Sequence, residues 1–210
     1  MCGEDTHYLA RGRVAWLSKG LSKLGRKPKS VMNFWCGTGS ATPYLLELLG
    51  VETVIGVEVS SKSIAVAKSA YGSERARFMT SGEYQSVEQL GLAFCNGVFH
   101  HIPLQKRSES IEYIYRSLRP GGLFALWENN FWNPATRYVM SRCPFDKDAN
   151  TLTPPEAGRL ARAGDFTILH TDFLFIFPRM LSWLRGIEPL VSRLPCGSQY
   201  QVPCRKPVLR

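Results

Sequence analysis

"VMNFWCGTGS", residues 31–40, sets an apolar run directly ahead of a glycine-rich turn. Such a run reads as a buried strand entering a loop, and paired glycines let backbone N–H groups approach a ligand with no Cβ in the way. The next apolar run, "TVIGVEVS" (53–60), carries Glu58 near its end. Glu58 stands at about the ~20-residue spacing at which a strand-end carboxylate can accept both hydroxyls of a ribose. The two stretches together point to a nucleoside-type ligand at the carboxyl edge of a sheet.

Working outward, apolar residues at helical spacing (Val14, Leu17, Leu21, Leu24) predict an amphipathic helix from about His7 to Leu24. Pro43 can start and Gly50 end a short helix after the loop, and Ser60 or Ser61 can cap a helix that Gly72 stops. "ARFMTS" reads as a third strand and "LAFCNGVFHHIP" as a fourth with its exit loop. Ile111, Ile114, Tyr115 and Leu118 mark a helix, and the turn "RPGG" feeds a fifth strand, "LFALWE". Strands alternating with helices over the first 130 residues predict a doubly wound, mainly parallel α/β sheet with helices on both faces.

Beyond residue 130 the alternation changes. The polar stretch "NNFWNPATRYVMSRCPFDKDANT" reads as a long connection able to form a lid or acceptor pocket, with Arg137, Arg142 and Asp146 in it. Thr153-Pro-Pro-Glu156 matches a capping box for a helix to about Ala163. "FTILHTDFLFIF" reads as one long strand and "SQYQVPCR" as a last one, which Pro203 should interrupt or push partly out of the ladder. Between them, Met180, Trp183, Leu184, Ile187, Val191 and Leu194 form a helical stripe, broken near Pro189. It reads as core packing or, with Arg179, Arg185 and Arg193, as an interfacial surface, so 178–194 is a candidate for peripheral membrane contact.

At 210 residues and 44% hydrophobic content the chain can bury one core, and a single domain over 1–210 is expected. The net charge of +9 is gathered toward both ends, but no helix-turn-helix or zinc-finger pattern accompanies it, so no nucleic-acid partner is expected. The six cysteines lack C-x-x-C spacing, which points to a reducing compartment, and no metal ligand set is expected. No stretch approaches ~18 apolar residues and no signal core is seen, so a cytoplasmic protein, able to touch a membrane surface, is expected.

Four segments in order, "VMNFWCGTGS", "VIGVEVSSKSIAVAK", "LAFCNGVFHHIP" and "LRPGGLFALWE", make the chain resemble the small class I S-adenosylmethionine-dependent methyltransferases. The resemblance implies a Rossmann-like seven-stranded mixed sheet with an antiparallel C-terminal strand. It divides the chain into an N-terminal helical cover (1–30), a cofactor-binding core (31–130) and an acceptor side with a C-terminal hairpin (131–210). It implies S-adenosyl-L-methionine as cofactor and methyl transfer to a small-molecule or lipid-linked acceptor, at oxygen first, with nitrogen and carbon open. Gly37 and Gly39 would back the methionine part, beside Asn33 and Cys36. Glu58 would hold the ribose, Val59 would flank the adenine, Glu83 would stand near its amino group, and Asn96 would lie beneath the cofactor.

The chain departs from the family at three places. Asn33 replaces an acid, Trp35 a glycine, and Gly91 a further acid. A second reading is therefore a catalytically impaired methyltransferase-like binding or partner protein. A nicotinamide-dependent oxidoreductase ranks last, because "CGTGSAT" lacks the third glycine of G-x-G-x-x-G. His100, His101 and Glu128, at the exits of strands four and five, are the candidate catalytic residues, each with a plain alternative as a tie for loop backbone.

Overall fold

The computed structural model describes residues 5–85, 89–146 and 149–208. In chain order the elements are α1 (Thr6–Lys23), β1 (Ser30–Phe34), α2 (Thr42–Leu49), β2 (Thr53–Glu58), α3 (Ser61–Tyr71), β3 (Ala76–Thr80), β4 (Leu90–Asn96), α4 (Leu104–Ser117) and β5 (Leu118–Asn129). There follow α5 (Pro134–Arg142), α6 (Pro154–Ala163), β6 (Thr167–Ile168), β7 (Asp172–Leu174), α7 (Glu188–Val191) and β8 (Gln199–Arg205). The strands hydrogen-bond in the order β3-β2-β1-β4-β5-β8-β6, with β7 also on β8. The sheet is thus α/β and Rossmann-like, parallel through β3-β2-β1-β4 and antiparallel where β8 meets β6 and β7.

The chain divides into two compact units. One is built mainly from Asp5–Cys95 and Tyr113–Ala125, and its core lies on both faces of the parallel strands: Val31, Met32, Val54, Val57, Leu92 and Phe94 are all buried. Local signals set its helices. Asp5 caps α1 at the Tyr8 N–H, Ser60 caps α3 at the Ser63 N–H, and Gly50 ends α2 in the left-handed conformation. Lys206 is buried in this unit and donates from Nζ to the Tyr115 and Leu118 carbonyls at 3.0 and 2.9 Å, so a cation closes the C-terminal turn of α4.

The other unit is built from Asn96–Glu112 and Leu126–Arg205, around buried Phe99, Ile102, Ile111, Trp127 and Tyr200. Its capping box is the expected one, with Glu156 accepting from the Thr153 N–H at 2.8 Å.

Four expectations need correction. Among the described residues the sheet has eight strands, not seven, because "FTILHTDFLFIF" breaks into β6 and β7. The cause lies opposite the break. Ile168 pairs with Cys204 and Asp172 with Gln201, so three residues on one side face two on the other, and one of those two is Pro203, which has no N–H to give. Pro203 therefore interrupts its partner, while β8 itself runs unbroken. Second, "RPGG" is not a separate turn but part of β5, where Gly121 at φ +75° donates to the Lys206 carbonyl.

Third, the polar connection after residue 130 contains a helix, α5, with Pro134 at its start and Asn133 capping the Thr136 N–H at 3.1 Å. Fourth, the stripe at 178–194 is not core. It forms a 3-10 helix (Arg179–Ile187) followed by α7, and no residue of either is buried.

Gly56, in the middle of β2, has a role that sequence reading missed. A Cβ there would lie 2.3 Å from the Phe78 ring and 2.9 Å from the Cys36 sulfur. Gly56→Ala should therefore lower stability by about 1–3 kcal/mol through overpacking, read from urea unfolding at unchanged m.

Candidate functional site

The loop after β1 keeps the backbone of a glycine turn at all three of its key positions. Gly37 and Gly39 sit at φ +55° and +81°, and Trp35 stands at φ +50° although it is not glycine. A left-handed residue with a Cβ costs roughly 1–2 kcal/mol. The indole packs against Phe34, with ring centres 6.1 Å apart and planes 27° apart. A Cβ on Gly37 would meet nothing within 4 Å, so the space over that glycine is clear of the indole. Gly39 is the opposite case: its Cβ position lies 3.0–3.2 Å from Phe78, Tyr71 and Ala67, so it serves packing against α3 and β3.

Glu58 holds this loop. Its carboxylate accepts from the Gly37 N–H at 2.9 Å, the Val59 N–H at 2.8 Å and the Ser60 N–H at 3.1 Å. A carboxylate has about four lone-pair positions, so roughly one remains for a ligand hydroxyl. Asn33 is buried within β1. Cys36 is no nucleophile, since burial, reinforced by Glu58, pushes its thiol up to about 12. Val59 is 54% exposed and available for an apolar ligand face. Glu83 is spent locally, accepting from the Thr80 N–H at 2.7 Å and hydroxyl at 2.9 Å, and those bonds hold its carboxyl below the usual range. Gly91 lies within β4, where a Cβ would stand 3.1 Å from the Pro28 ring, so this position favours glycine for packing reasons.

Asn96, His100, His101 and Glu128 belong to the other unit. Among the described residues no donor reaches the buried Oδ1 of Asn96, which leaves an acceptor open. Glu128 is engaged at both oxygens: Oε1 accepts from the Phe99 N–H at 2.7 Å, and Oε2 lies 2.6 Å from His100 Nδ1. A carboxylate accepts, so Nδ1 carries the hydrogen of that bond, and Nε2 is the atom turned toward Asp146. Glu128 is thereby a positioning residue for His100.

His100 Nε2 stands 3.5 Å from Asp146 Oδ1, and His101 Nε2 stands 3.6 Å from the same oxygen. Burial opposes a charge on His100, yet the bond to Glu128 and the charges of Glu128 and Asp146 carry its pKa above the ordinary value. Burial and the neighbouring His100 lower that of His101. Sequence reading placed Asp146 in a polar connection and had no signal that it would meet two histidines 45 residues earlier.

Asn129 and Asn130, beside Glu128, are structural. Asn130 Nδ2 donates to the Pro195 and Gly197 carbonyls at 3.1 and 2.7 Å, and Asn129 accepts from Gln199. Close by in sequence, a cavity of about 640 Å³ is lined by Phe131, Arg137, Tyr138, Ser141 and Asp146, among others.

Residues 33–126 match a family model described as a methyltransferase domain. Over that stretch the chain is similar to the family. Solved methyltransferases share its fold. The plantazolicin methyltransferase BamL, crystallised with a triazolic desmethyl analog and SAH, is 17% identical, with a TM-score of 0.69 over 96% of this chain and 85% of its own. A SAM-dependent methyltransferase from Thermotoga maritima is 18% identical, with a TM-score of 0.67 over 95% and 90%. A Haloferax volcanii methyltransferase in complex with the Trm112 activator is 16% identical, with a TM-score of 0.63 over 93% and 95%. No curated protein matches the chain.

Glu58→Ala leaves three loop N–H groups without their acceptor. It should cost about 1–3 kcal/mol of stability, measured by urea unfolding.

Proposed function

We propose that the chain transfers the methyl group of S-adenosylmethionine to a small-molecule or lipid-linked acceptor. The observation that carries this reading is the β1 loop, with two glycines at positive φ, clear space over Gly37, and Glu58 fixing the turn with one acceptor position to spare. The family match over 33–126 and the shared fold support it. The residues present fit the cofactor. Gly37 would let its methionine part approach the backbone, Glu58 would take a ribose hydroxyl, and exposed Val59 would flank the adenine.

When bound, the cofactor supplies a methyl group on a sulfonium, which needs only an in-line nucleophile. The protein's share is binding and orientation. The cavity beside α5 is of a size that suits a small acceptor, and Arg137 and Asp146 give it a charge of each sign. On that side, chemistry falls to His100, His101 and Asp146, because the Glu128 carboxylate is spent on positioning.

Calorimetry with S-adenosylmethionine and its demethylated product tests the reading. Micromolar binding is expected. Trp35→Gly should change affinity only a few-fold, roughly 1 kcal/mol or less, since the indole lies on Phe34 and clear of Gly37. Absence of binding at millimolar ligand, restored in the variant, would establish the impaired-protein reading instead.

The lipid-linked class of acceptor is favoured by one surface. Met180, Trp183 and Leu190 are 90%, 77% and 84% exposed, in a segment that also carries Arg179, Arg185 and Arg193, on a chain of net charge +9. Aromatic and aliphatic side chains among arginines suit an anionic headgroup boundary. The chain should sediment with phosphatidylglycerol-rich vesicles more than with phosphatidylcholine vesicles. Replacing Trp183 and Leu190 together by Glu should cut that binding at least roughly tenfold, since each buried apolar side chain contributes about 1.5–3 kcal/mol. Equal sedimentation of the variant would remove the lipid surface from the reading.

A further inference from the structure

We propose that His100, His101 and Asp146 form a binding site for a zinc-class divalent cation, with Glu128 as its orienting outer carboxylate. Both imidazole Nε2 atoms face the same Asp146 oxygen, at 3.5 and 3.6 Å, and the three ligand atoms all lie within 4.8 Å of one another. These separations are longer than a good N–H···O bond, so either ring is held to Asp146 only weakly. They match the edge of a tetrahedron around a metal at ~2.0–2.1 Å, which is roughly 3.4 Å.

The ligand types agree with the spacing. Two imidazoles and one carboxylate suit zinc and its neighbours in the transition series better than calcium or magnesium. His100 has the outer partner that a metal-bound histidine requires. Glu128 accepts from Nδ1 at 2.6 Å and is itself fixed by the Phe99 N–H, so Nε2 is the ring atom presented to the site. The ring is held by that carboxylate and not by loop backbone, the plain role considered for it. His100 is buried, whereas the His101 side chain is 38% exposed and gives an ion a way in.

Among the described residues no other group of three His, Cys, Asp or Glu side chains is so disposed. Three protein ligands leave a fourth position, for water or for a heteroatom of an acceptor in the adjoining cavity that Asp146 also lines. Binding of the ion does not depend on the methyl-transfer reading. Use of the fourth position by an acceptor does.

The test is a titration of the chelator-stripped full chain with Zn²⁺ against a chromophoric chelator, without cofactor. Visible absorption of the Co²⁺ form serves as a second readout of tetrahedral geometry. Saturation at one equivalent is expected, with His101→Gln and Asp146→Asn each weakening binding at least roughly tenfold. Neither side chain is fully buried, and circular dichroism checks that both variants fold. A variant with Cys36, Cys143 and Cys196 changed to Ser should bind as the original does. No saturable uptake, unchanged affinity in both ligand variants, or loss of binding only with the cysteines would each overturn the site. Failure of calorimetry with S-adenosylmethionine would leave this result standing, so the two readings fail separately.

Discussion

Three backbone N–H groups converge on one carboxylate at the end of β2, and the candidate cofactor loop owes its form to that convergence. Gly37 comes from the turn after β1, while Val59 and Ser60 come from the corner that leads into α3. Hydrogen bonds to a charged acceptor contribute about 1.5–3 kcal/mol each, so Glu58 ties two neighbouring strand exits more firmly than neutral loop contacts could. The Cys36 N–H adds a bond to the Val57 carbonyl at 3.0 Å, extending the β1–β2 ladder one residue into the turn. A residue that reads in sequence as ligand-binding is thus first a structural tie.

The departures from the family pattern look different in three dimensions. Trp35 stands in the left-handed backbone region that suits glycine and lays its ring on Phe34, which in turn meets Tyr113. A Cβ on Gly91 would stand 3.1 Å from Pro28, so a larger residue there requires Pro28 to shift by a few tenths of an ångström. Neither observation argues that the domain has lost its ligand.

Much of the fold was legible because it is written in local terms. Alternating apolar runs and spaced apolar stripes located β1 to β5 and the helices between them, and Ser60, Gly50 and Thr153 marked helix ends by capping chemistry that acts within four residues. What sequence missed depends on partners far along the chain. The split between β6 and β7 originates in Pro203, more than thirty residues away. The polar run after residue 130 hid α5 because its Asn133-Pro134 start was read as loop. The apolar stripe at 178–194 has a helical period whether it faces a core or solvent, so periodicity could not choose. In the candidate site, Glu58 and the glycines were visible as a spaced motif. The meeting of Asp146 with His100 and His101 was not, because no spacing rule links them.

Breaking one long strand into two short ones also shapes how the chain meets its own kind. A sheet edge is hazardous in proportion to the length of unpaired backbone it offers as a template. Here β6 has two residues and β7 three, with a mismatch of one residue between them. On that margin another chain would find no straight row of donors and acceptors to copy. Pro203, which looks like a defect in the last strand, therefore works as a safeguard against edge-to-edge polymerisation in a molecule that exposes large apolar side chains elsewhere.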